Sequence, residues 1–560
     1  MRSARRLLLL LLLPLVTRQE EDGMFTSNID LQVLLETESE VVNKLNEYVA
    51  EETARIEKLK KLVKNYETMR DDAQLAGPSY VGNPLNSFLL IKALTSDWKQ
   101  VQGLIQSTVG ERFVTNLTEQ RTQFGLRWPS DEDLNGAATG LMRLQDTYRL
   151  DTDSLARGVL NGKYYGPALT GHDCFELGRQ TYNNGDYFHT NVWMEQALRL
   201  YHEEVEKTIS REDILEYLAF SAYMSGNIRR ALKLTNEMLE LDPEHTRGWG
   251  NQKYYTQTLK QKGASYVQRG EDGLGNADET VNLLKEQQKR EDELGEERVS
   301  YEQLCRGEEF ISDADRSKLT CRYYTGRHDY LLIGPVKEEE VFLLPRIVVY
   351  HDFITDREIK TIQGLATPRF KRATVQNYKT GELETANYRV SKTAWLKEEE
   401  HEHVANVYSR THQITGLNME TSEELQVSNY GIGGHYEPHF DFARREEKNA
   451  FASLGTGIHR VNRFIKFNTF LAGNRIATML IYESDVEQGG ATVFPHLGIA
   501  LQPKKGAAVF WYNLFQNGEG DELTRHAACP VLAGTKWVSN FWIHERGQEE
   551  ARPCSSDPFL

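Results

Sequence analysis

The sequence predicts a multidomain α plus β protein that is helical in its N-terminal half and strand-rich in its C-terminal part. At 560 residues the chain is long enough for several domains of ~150 residues. Apolar residues recur at helical spacing up to about residue 260, whereas after Pro345 they form short runs bounded by glycine-rich turns. A Glu-, Lys-, Gln- and Gly-rich stretch between them is typical of a linker. The predicted segments are residues 1–19, 20–160, 161–262, 263–335 and 336–560.

The charge balance limits the possible partners. Acidic residues number 82 against 66 basic ones, which gives a formal net charge of −16 at pH 7. Nucleic acid repels such a surface, so we expect no nucleic-acid partner.

The first 19 residues are typical of a secretory signal peptide, although they leave the cleavage site open. Three arginines precede an unbroken leucine run, Leu7–Leu13, which is too short to span a bilayer. No later stretch predicts a membrane span. Since the C-terminus is not a retention tetrapeptide, residence in the endoplasmic reticulum lumen would need a retained partner. Asn116 begins a glycosylation sequon, which is consistent with secretion.

Five cysteines suggest two disulfides in an oxidising compartment. Pairing of neighbours along the chain predicts Cys305–Cys321 and Cys529–Cys554, with Cys174 left free. The alternative is that all five are reduced thiols.

A heptad register within segment 20–160 predicts a coiled-coil-like hairpin or dimer seam. Glu52 interrupts it at one position. An amphipathic helix packed within its own domain is the alternative. The apolar positions are Val42, Leu45, Val49, Ile56, Leu59, Val63 and Tyr66.

Segment 161–262 predicts paired helices of the tetratricopeptide type. Gly185 and Gly226 lie at predicted inter-helix turns, and Pro243 follows the second helix pair. Nine of the 26 tyrosines of the chain lie between Tyr164 and Tyr255. Such rings in a concave groove suit a proline-rich, polyproline-II peptide, whereas the alternative places most of them in the core.

The C-terminal segment predicts a jelly-roll or related barrel, and it contains a candidate metal site. In a strand, His439 and Asp441 point to the same side, and two histidines with one carboxylate suit a non-haem Fe(II) ion. We rank His526 first as the second histidine because it leads into a β-rich run. Lys536, ten residues on, would bring an ammonium able to bind a dicarboxylate. The alternatives left open are His459, His496 and His544.

Several long motifs closely resemble the collagen prolyl 4-hydroxylase α-subunit family. The C-terminal motifs are Gln426–Phe442, Gly489–Pro495, Lys504–Leu514 and Arg525–Val531; the N-terminal ones are Leu141–Tyr148, Cys174–Gly178 and Leu239–His245. Together they extend the resemblance over essentially the whole mature chain.

For the C-terminal segment the resemblance implies a double-stranded β-helix (jelly-roll) oxygenase domain. It implies that the domain uses Fe(II), 2-oxoglutarate, O₂ and L-ascorbate to hydroxylate C4 of proline in collagen-like X-Pro-Gly sequences. The implied iron ligands are His439, Asp441 and His526, and Lys536 would pair with the distal carboxylate of 2-oxoglutarate. Implied pocket residues around that co-substrate are Tyr430, Thr478 and Trp542.

For the rest of the chain the resemblance implies an N-terminal dimerisation domain and a peptide-binding domain for procollagen chains. It implies an α₂β₂ tetramer with protein disulfide isomerase as the β subunit, which would retain the chain in the endoplasmic reticulum. The same two cysteine pairs are also implied. The implied groove residues are Tyr217, Tyr223, Arg247, Asn251 and Tyr254.

The sequence departs from the family pattern in two places. Phe541 stands where the family has a second lysine, and Ile458–Gly473 separates segments that are contiguous in the family. The inserted stretch is interpreted as a surface loop or as an unspliced intron translated in frame. It favours an alternative function, a catalytically impaired collagen-binding chaperone subunit, although all the ligand positions and Lys536 are present. A lysyl hydroxylase is disfavoured because the tyrosine-rich helices suit polyproline II.

Overall fold

The computed structural model describes residues 23–124, 128–266, 292, 294–326, 328–376, 383–444 and 473–557. The predicted signal peptide and all of the Ile458–Gly473 stretch except its last residue lie outside these ranges. The chain divides into two compact units, Asp30–Ser130 and a second unit of Met1–Ile29 with Asp131–Leu560.

The Asp30–Ser130 unit is helical, as predicted. Tyr66 donates a hydrogen bond to the carbonyl of Ala93 at 2.6 Å, which joins the long first helix to a later part of the unit. Five of the heptad residues, Val42, Leu45, Val49, Ile56 and Val63, are 38–57% exposed, so this apolar seam is not buried. The helices are α1 (Asn28–Ala76), α2 (Pro84–Lys92), α3 (Trp98–Ile105) and α4 (Val109–Phe124).

The first part of the second unit contains the predicted helix pairs. Side chains of Asp186, Ser210 and Asn227 accept backbone N–H groups at three helix starts. The elements are α5 (Asp131–Tyr148), α6 (Thr152–Ala156), β1 (Val159–Leu160), β2 (Lys163–Tyr164), α7 (Gly171–Asn183), α8 (Tyr187–Glu203), α9 (Arg211–Met224), α10 (Ile228–Leu241) and α11 (Thr246–Tyr266). None of the helices among the described residues is long and apolar enough to span a membrane.

A buried histidine joins α5 to the helix pairs. His189 on α8 lies 2.6 Å from a carboxylate oxygen of Asp186 and 3.1 Å from one of Asp146 on α5. Burial alone would lower the pKa of His189, but the two carboxylates raise it to about 9. The imidazolium is therefore the stable form at neutral pH, and it bridges the two helices.

The remainder of the second unit is built on two main antiparallel sheets, which confirms the predicted fold class. Among the described residues the larger sheet has nine strands and the smaller has four. The helices are α12 (Glu296–Cys305), α13 (Asp313–Arg316), α14 (Asp329–Ile333), α15 (Asp356–Ala366) and α16 (Glu402–Thr415).

The predicted strand-like runs all form strands. The strands up to His439 are β3 (Cys321–Tyr324), β4 (Val336–Phe342), β5 (Ile347–His351), β6 (Lys371–Arg372), β7 (Thr374–Gln376), β8 (Leu383–Thr385), β9 (Lys392–Leu396), β10 (Leu425–Tyr430) and β11 (Tyr436–His439). Those that follow are β12 (Arg475–Tyr482), β13 (Gln488–Gly489), β14 (Thr492–Phe494), β15 (Ile499–Leu501), β16 (Ala508–Tyr512), β17 (His526–Ala528), β18 (Val531–Ala533) and β19 (Lys536–His544). The larger sheet has the strand order β3-β4-β5-β16-β12-β19-β10-β9-β6, and the smaller has β11-β17-β14-β15.

The two faces of the larger sheet have different partners. One face packs on α15 and α16, with Val427, Met479 and Phe541 in the same apolar core as the helix residues Ile362 and Val404. The other face turns toward the smaller sheet, because a second core combines Tyr430 and Val538 with Phe494 of β14. The space between the sheets is where the candidate site lies.

An N-terminal segment braces the turn between β10 and β11. The carbonyl of Phe25 accepts the N–H of Ile432 at 3.1 Å, and Ser27 Oγ donates to Asn429 Oδ1 at 2.8 Å. A Cβ at Gly431 would lie 2.1 Å from the Phe25 carbonyl oxygen. Only glycine therefore allows this close backbone approach.

The predicted cysteine pairs are wrong. Cys305 bonds to Cys529, 224 residues away, while Cys321 and Cys554 are exposed free thiols. Sequence proximity misled the prediction because Cys305 ends α12 in the core, whereas Cys321 begins β3 at the edge of the larger sheet. Cys174 is free, as predicted, and buried.

Replacing Cys305 with serine is expected to lower the free energy of unfolding by about 2–5 kcal/mol, since it removes a cross-link that closes a long loop. The matched control, Cys321→Ser, is expected to leave stability unchanged because that thiol is exposed and unpaired. Denaturant unfolding of both variants measures the difference. Recovery of a disulfide-linked Cys305–Cys321 peptide from the non-reduced protein would contradict the pairing.

Candidate functional site

Three side chains from two paired strands converge between the sheets. His439 ends β11 directly opposite His526, which begins β17. Asp441 follows two residues after His439, and the ligand-capable atoms of all three side chains lie within 4.8 Å of one another. The His439 Nε2 is 3.7 Å from Asp441 Oδ1, and the His526 Nε2 is 3.5 Å from Asp441 Oδ2. The three groups thus face one common point.

Backbone carbonyls orient both imidazoles. The Nδ1 of His439 donates to the carbonyl of Glu437 at 2.8 Å, and the Nδ1 of His526 donates to that of Thr524 at 3.0 Å. Because Nδ1 carries the proton in each ring, Nε2 is left with its lone pair directed at the common point. Both rings are therefore in the tautomer that binds a metal through Nε2.

The carboxylate is held by a hydrogen-bonded pair from the larger sheet. Thr478 Oγ1 on β12 donates to Asp441 Oδ2 at 2.7 Å, and Asn513 Nδ2 donates to Thr478 Oγ1 at 2.9 Å. This fixes one oxygen of Asp441 and leaves its other lone pairs available to a metal.

The electrostatics favour metal binding at neutral pH. Burial, together with the neighbouring His526, lowers the pKa of His439 well below its usual value. Burial would raise the pKa of Asp441, but His526 and His439 hold it below the ordinary range. A neutral imidazole and an ionised carboxylate are the forms that bind a metal, so the residues fit the facial arrangement of a non-haem Fe(II) site.

The other candidate histidines have different partners. His496 lies 3.3 Å from Glu297, and His544 lies 3.1 Å from Glu423. His459 lies outside the described residues. Of the four candidates, His526 is the one that the described part of the chain brings to His439 and Asp441.

The predicted co-substrate residues share one face of the larger sheet. Tyr430 pairs with Lys536 across β10 and β19, and Thr478 pairs with Trp542 across β12 and β19. Residues directly opposite each other, or two apart in one strand, point to the same side, so all four face the same space. Thr478 touches Asp441, which places the triad on this face as well.

Lys536 is the buried cation of this face. Its side chain is 1% exposed, and its Nζ lies 5.0 Å from the centroid of the Tyr430 ring. Burial lowers the pKa of Lys536 to about 7. A bound carboxylate would compensate for the lost hydration of the ammonium, so the site suits an anionic ligand.

Sequence reasoning missed an arginine that links the triad to Trp542. The Arg475 guanidinium stacks 3.8 Å above the Trp542 ring, and its Nη1 donates to the carbonyl of Asp441 at 3.4 Å. Buried Glu423 accepts from Arg475 Nη2 at 3.0 Å and lies 3.1 Å from His544 Nε2. No local pattern could have identified this cluster, because its members come from three distant segments.

Phe541 lies away from the site. Phe541 is fully buried on the helix-covered face, where its ring meets that of Tyr408 edge-on with centroids 4.4 Å apart. Its neighbour Trp542 points to the opposite face. The alternation of side chains along β19 thus separates the substitution from the pocket.

A second candidate surface lies on the helix pairs. Rings of α9 and α11 meet there: Tyr223 and Tyr254 have hydroxyls 3.1 Å apart and ring centroids 5.6 Å apart. Tyr254 is 51% exposed, whereas the adjacent Tyr255 is 1% exposed. Arg247 on α11 forms an ion pair with Glu216 on α9. The Tyr217 ring packs edge-on to that of Tyr182, and Asn251 is half-buried on α11. The rings thus divide between surface and core.

Family models match three parts of the chain. Residues 27–162 match the prolyl 4-hydroxylase alpha-subunit N-terminal region, and 171–261 match the prolyl 4-hydroxylase peptide-substrate-binding domain. Residues 425–544, which contain the triad, match the 2OG-Fe(II) oxygenase superfamily.

Whole-chain relatives extend these matches. Prolyl 4-hydroxylase subunit alpha-1 of Homo sapiens is 45% identical over 542 residues, covering 95% of this chain and 96% of its own length. Subunit alpha-2 of Caenorhabditis elegans is 46% identical over 533 residues, covering 95% and 93%. A solved viral collagen prolyl hydroxylase from Paramecium Bursaria Chlorella virus-1 matches 35% of this chain and 95% of its own, at 22% identity and a TM-score of 0.26.

The curated relatives align with nearly all of the chain, and the converging His-Asp-His cluster lies within the matched oxygenase region. The chain therefore belongs to the prolyl 4-hydroxylase α-subunit family and is a 2-oxoglutarate- and Fe(II)-dependent dioxygenase.

Proposed function

We propose that this chain is the catalytic subunit of a procollagen-proline 4-dioxygenase, which hydroxylates C4 of proline in collagen-like X-Pro-Gly sequences. The observation that carries the proposal is the convergence of His439, Asp441 and His526, which we assign as the iron ligands. Relatives that match nearly the whole chain are named prolyl 4-hydroxylase subunits.

In this proposal each nearby residue has a distinct task. Lys536 binds the distal carboxylate of 2-oxoglutarate, and Tyr430 lines the pocket beside it. Thr478 orients Asp441, and Trp542 with Arg475 closes the side next to that ligand. Bound iron with 2-oxoglutarate and O₂ supplies the oxidising chemistry.

Aromatic packing keeps the proposed ligand His526 away from bulk water. The Trp511 ring lies 4.8 Å from that of His526, and the Phe494 ring lies 5.7 Å from it. Exclusion of water strengthens the electrostatic contacts inside the pocket and limits side reactions.

The peptide substrate is proposed to extend over the helix pairs. The exposed ring of Tyr254 beside Tyr223 offers a surface on which prolines of a polyproline-II helix can stack. Tyr217, Arg247 and Asn251 belong to the same proposed groove.

The cellular setting is proposed from the sequence. The leucine-rich leader would direct the chain to the endoplasmic reticulum lumen, where protein disulfide isomerase as β subunit would retain it in an α₂β₂ tetramer. The exposed heptad seam of α1 suits a dimer contact between α subunits, and Asn116 is exposed on α4 for glycosylation. L-Ascorbate would restore iron oxidised in turnovers without peptide.

The segment after Asp441 is hydrogen-bonded to the start of β12, which favours the enzyme over a catalytically impaired chaperone subunit. Asn474 Nδ2 donates to the carbonyl of Ala443 at 2.9 Å, and Ala443 N–H donates to Asn474 Oδ1 at 2.8 Å. These bonds connect the segment after Asp441 to the start of β12. Under the surface-loop interpretation of Ile458–Gly473, the added residues cost little free energy, since each doubling of the length of a loop costs only ~0.6 kcal/mol.

The central test is turnover by the full chain co-expressed with a disulfide isomerase. Decarboxylation of 2-oxoglutarate is expected to rise several-fold on addition of a (Pro-Pro-Gly) repeat peptide, with hydroxyproline formed in equal amount. Peptide binding without any coupled decarboxylation would instead favour the chaperone reading.

Substituting any one of His439, Asp441 or His526 with alanine is expected to abolish turnover while assembly with the isomerase is retained. Loss of one of three ligands opens the coordination sphere and weakens iron binding. Hydroxyproline assays and size-exclusion chromatography measure the two properties. His202→Ala serves as the matched control because His202 is exposed on α8, and near-normal activity of His526→Ala would move the ligand role to another histidine.

Lys536→Ala is expected to raise the KM for 2-oxoglutarate by about two to three and a half orders of magnitude, because breaking a buried charge pair costs about 3–5 kcal/mol. Lys536→Arg keeps the positive charge and should recover part of this affinity. The recovery should be incomplete, because the guanidinium is larger than the ammonium. With the pKa of the free lysine at about 7, co-substrate affinity of the wild type should fall by up to tenfold per pH unit above pH 7 as the ammonium deprotonates. An unchanged KM in the alanine variant would refute the assignment.

Tyr254→Ala is expected to weaken binding of long proline-rich peptides about tenfold and to change the KM of tripeptide-scale substrates little. Tyr254→Phe keeps the ring and should bind nearly normally, while Lys253→Ala is the control on the exposed side of α11. Isothermal titration with long and short peptides gives the comparison. An equal loss for both lengths would place the effect of Tyr254 elsewhere than in a groove.

A further inference from the structure

We propose that helix α12 (Glu296–Cys305) is a positioning element for the iron centre, acting through Glu297 and Arg298 on the two strands that carry the histidine ligands. The inference rests on the proposed ligand set. The helix falls in the stretch predicted to be a linker, and it lies between the regions 171–261 and 425–544 that the family models match.

Glu297 holds an arginine that touches both ligand segments. The Arg525 Nη2 donates to Glu297 Oε2 at 3.1 Å, and its Nε forms a second, shorter contact with the same carboxylate. Arg525 directly precedes His526, and its guanidinium lies 4.9 Å from the ring centroid of Phe440. Phe440 stands between His439 and Asp441 in the chain. One carboxylate thus fixes a side chain that belongs to one ligand-bearing segment and contacts the other.

Arg298 acts on the other histidine strand. Its Nη1 donates to Glu437 Oε1 at 3.0 Å, and its Nε donates to Glu302 Oε1 at 2.8 Å. The backbone carbonyl of Glu437 is the acceptor that orients the His439 ring. The ion pair therefore restrains the residue on which the orientation of His439 depends.

The C-terminal half of α12 is fixed to β17, so the helix cannot shift independently of it. Tyr301 is fully buried, and its hydroxyl donates to the carbonyl of Ala528 at 3.5 Å. One turn later Cys305 is bonded to Cys529, which follows β17 directly. The helix is thereby a rigid base from which Glu297 and Arg298 reach the ends of β17 and β11.

The two ion pairs are suited to positioning rather than to stability. Their four side chains are 24–42% exposed, and pairs with such exposure contribute little to the free energy of unfolding. Groups that orient metal ligands, by contrast, typically change metal affinity 10–100-fold when they are removed. A loss of iron affinity without a loss of thermal stability is the signature of this role.

The test uses the full chain co-expressed with a disulfide isomerase. Fe(II) affinity is measured by chelator competition and thermal stability by calorimetry in Glu297→Gln, Arg298→Gln and Arg298→Lys. Glu296→Gln is the matched control, because Glu296 is an exposed neighbour on the same helix. We expect about tenfold weaker Fe(II) binding in the two glutamine variants and near wild-type binding in Arg298→Lys and the control, at unchanged melting temperature.

His526→Ala, measured in the same way, separates this inference from the ligand assignment. If it loses Fe(II) affinity while Glu297→Gln and Arg298→Gln bind like Glu296→Gln, α12 has no positioning role and the ligands stand. If the glutamine variants lose affinity only together with a lower melting temperature, the helix is merely structural and the inference is also wrong. If His526→Ala binds Fe(II) normally, both the ligand set and the inference fail.

Discussion

The antiparallel pairing of β11 with β17 is the constraint on which the rest of the site depends. It sets His439 directly opposite His526, where cross-strand neighbours approach to about 5 Å. A one-residue slip of this register would turn one histidine to the other side of the sheet. Contacts that hold these strands or their histidines, such as the Thr524 carbonyl and the side chains of α12, therefore influence the geometry of the proposed metal centre.

Burying an ionised carboxylate between two imidazoles is unfavourable unless its surroundings compensate. Asp441 is 4% exposed, and burial alone would raise its pKa. His526 and His439 offset this first, and the nearby Arg475 and the hydrogen bond from Thr478 add to their effect, while Glu423 balances the arginine charge. A buried charge needs charged or hydrogen-bonding partners where water is excluded, and the contacts from Asp441 to Glu423 supply them. This is why polar side chains are buried between the sheets here.

The larger sheet separates stability from chemistry by the alternation of its side chains. Phe541 and its odd-numbered neighbours on β19 pack on α15 and α16, whereas Lys536 and Trp542 face the smaller sheet. Residues on the helix-covered face can therefore be substituted without changing the side chains that line the pocket. The same alternation places Lys536 beside Tyr430 and away from water, where its ammonium is best stabilised by an anionic ligand.

The sequence by itself determined those features that depend on local periodicity. The spacing of two in His439-Phe-Asp441 put both groups on one side, and turn glycines marked the helix pairs before Pro243. The choice of His526 over His496 and His544, the Cys305–Cys529 bond and the Arg475–Glu423 cluster were decided by tertiary structure. Periodicity fixes which way a side chain faces, but only the pairing of strands distant in the chain fixes what it meets.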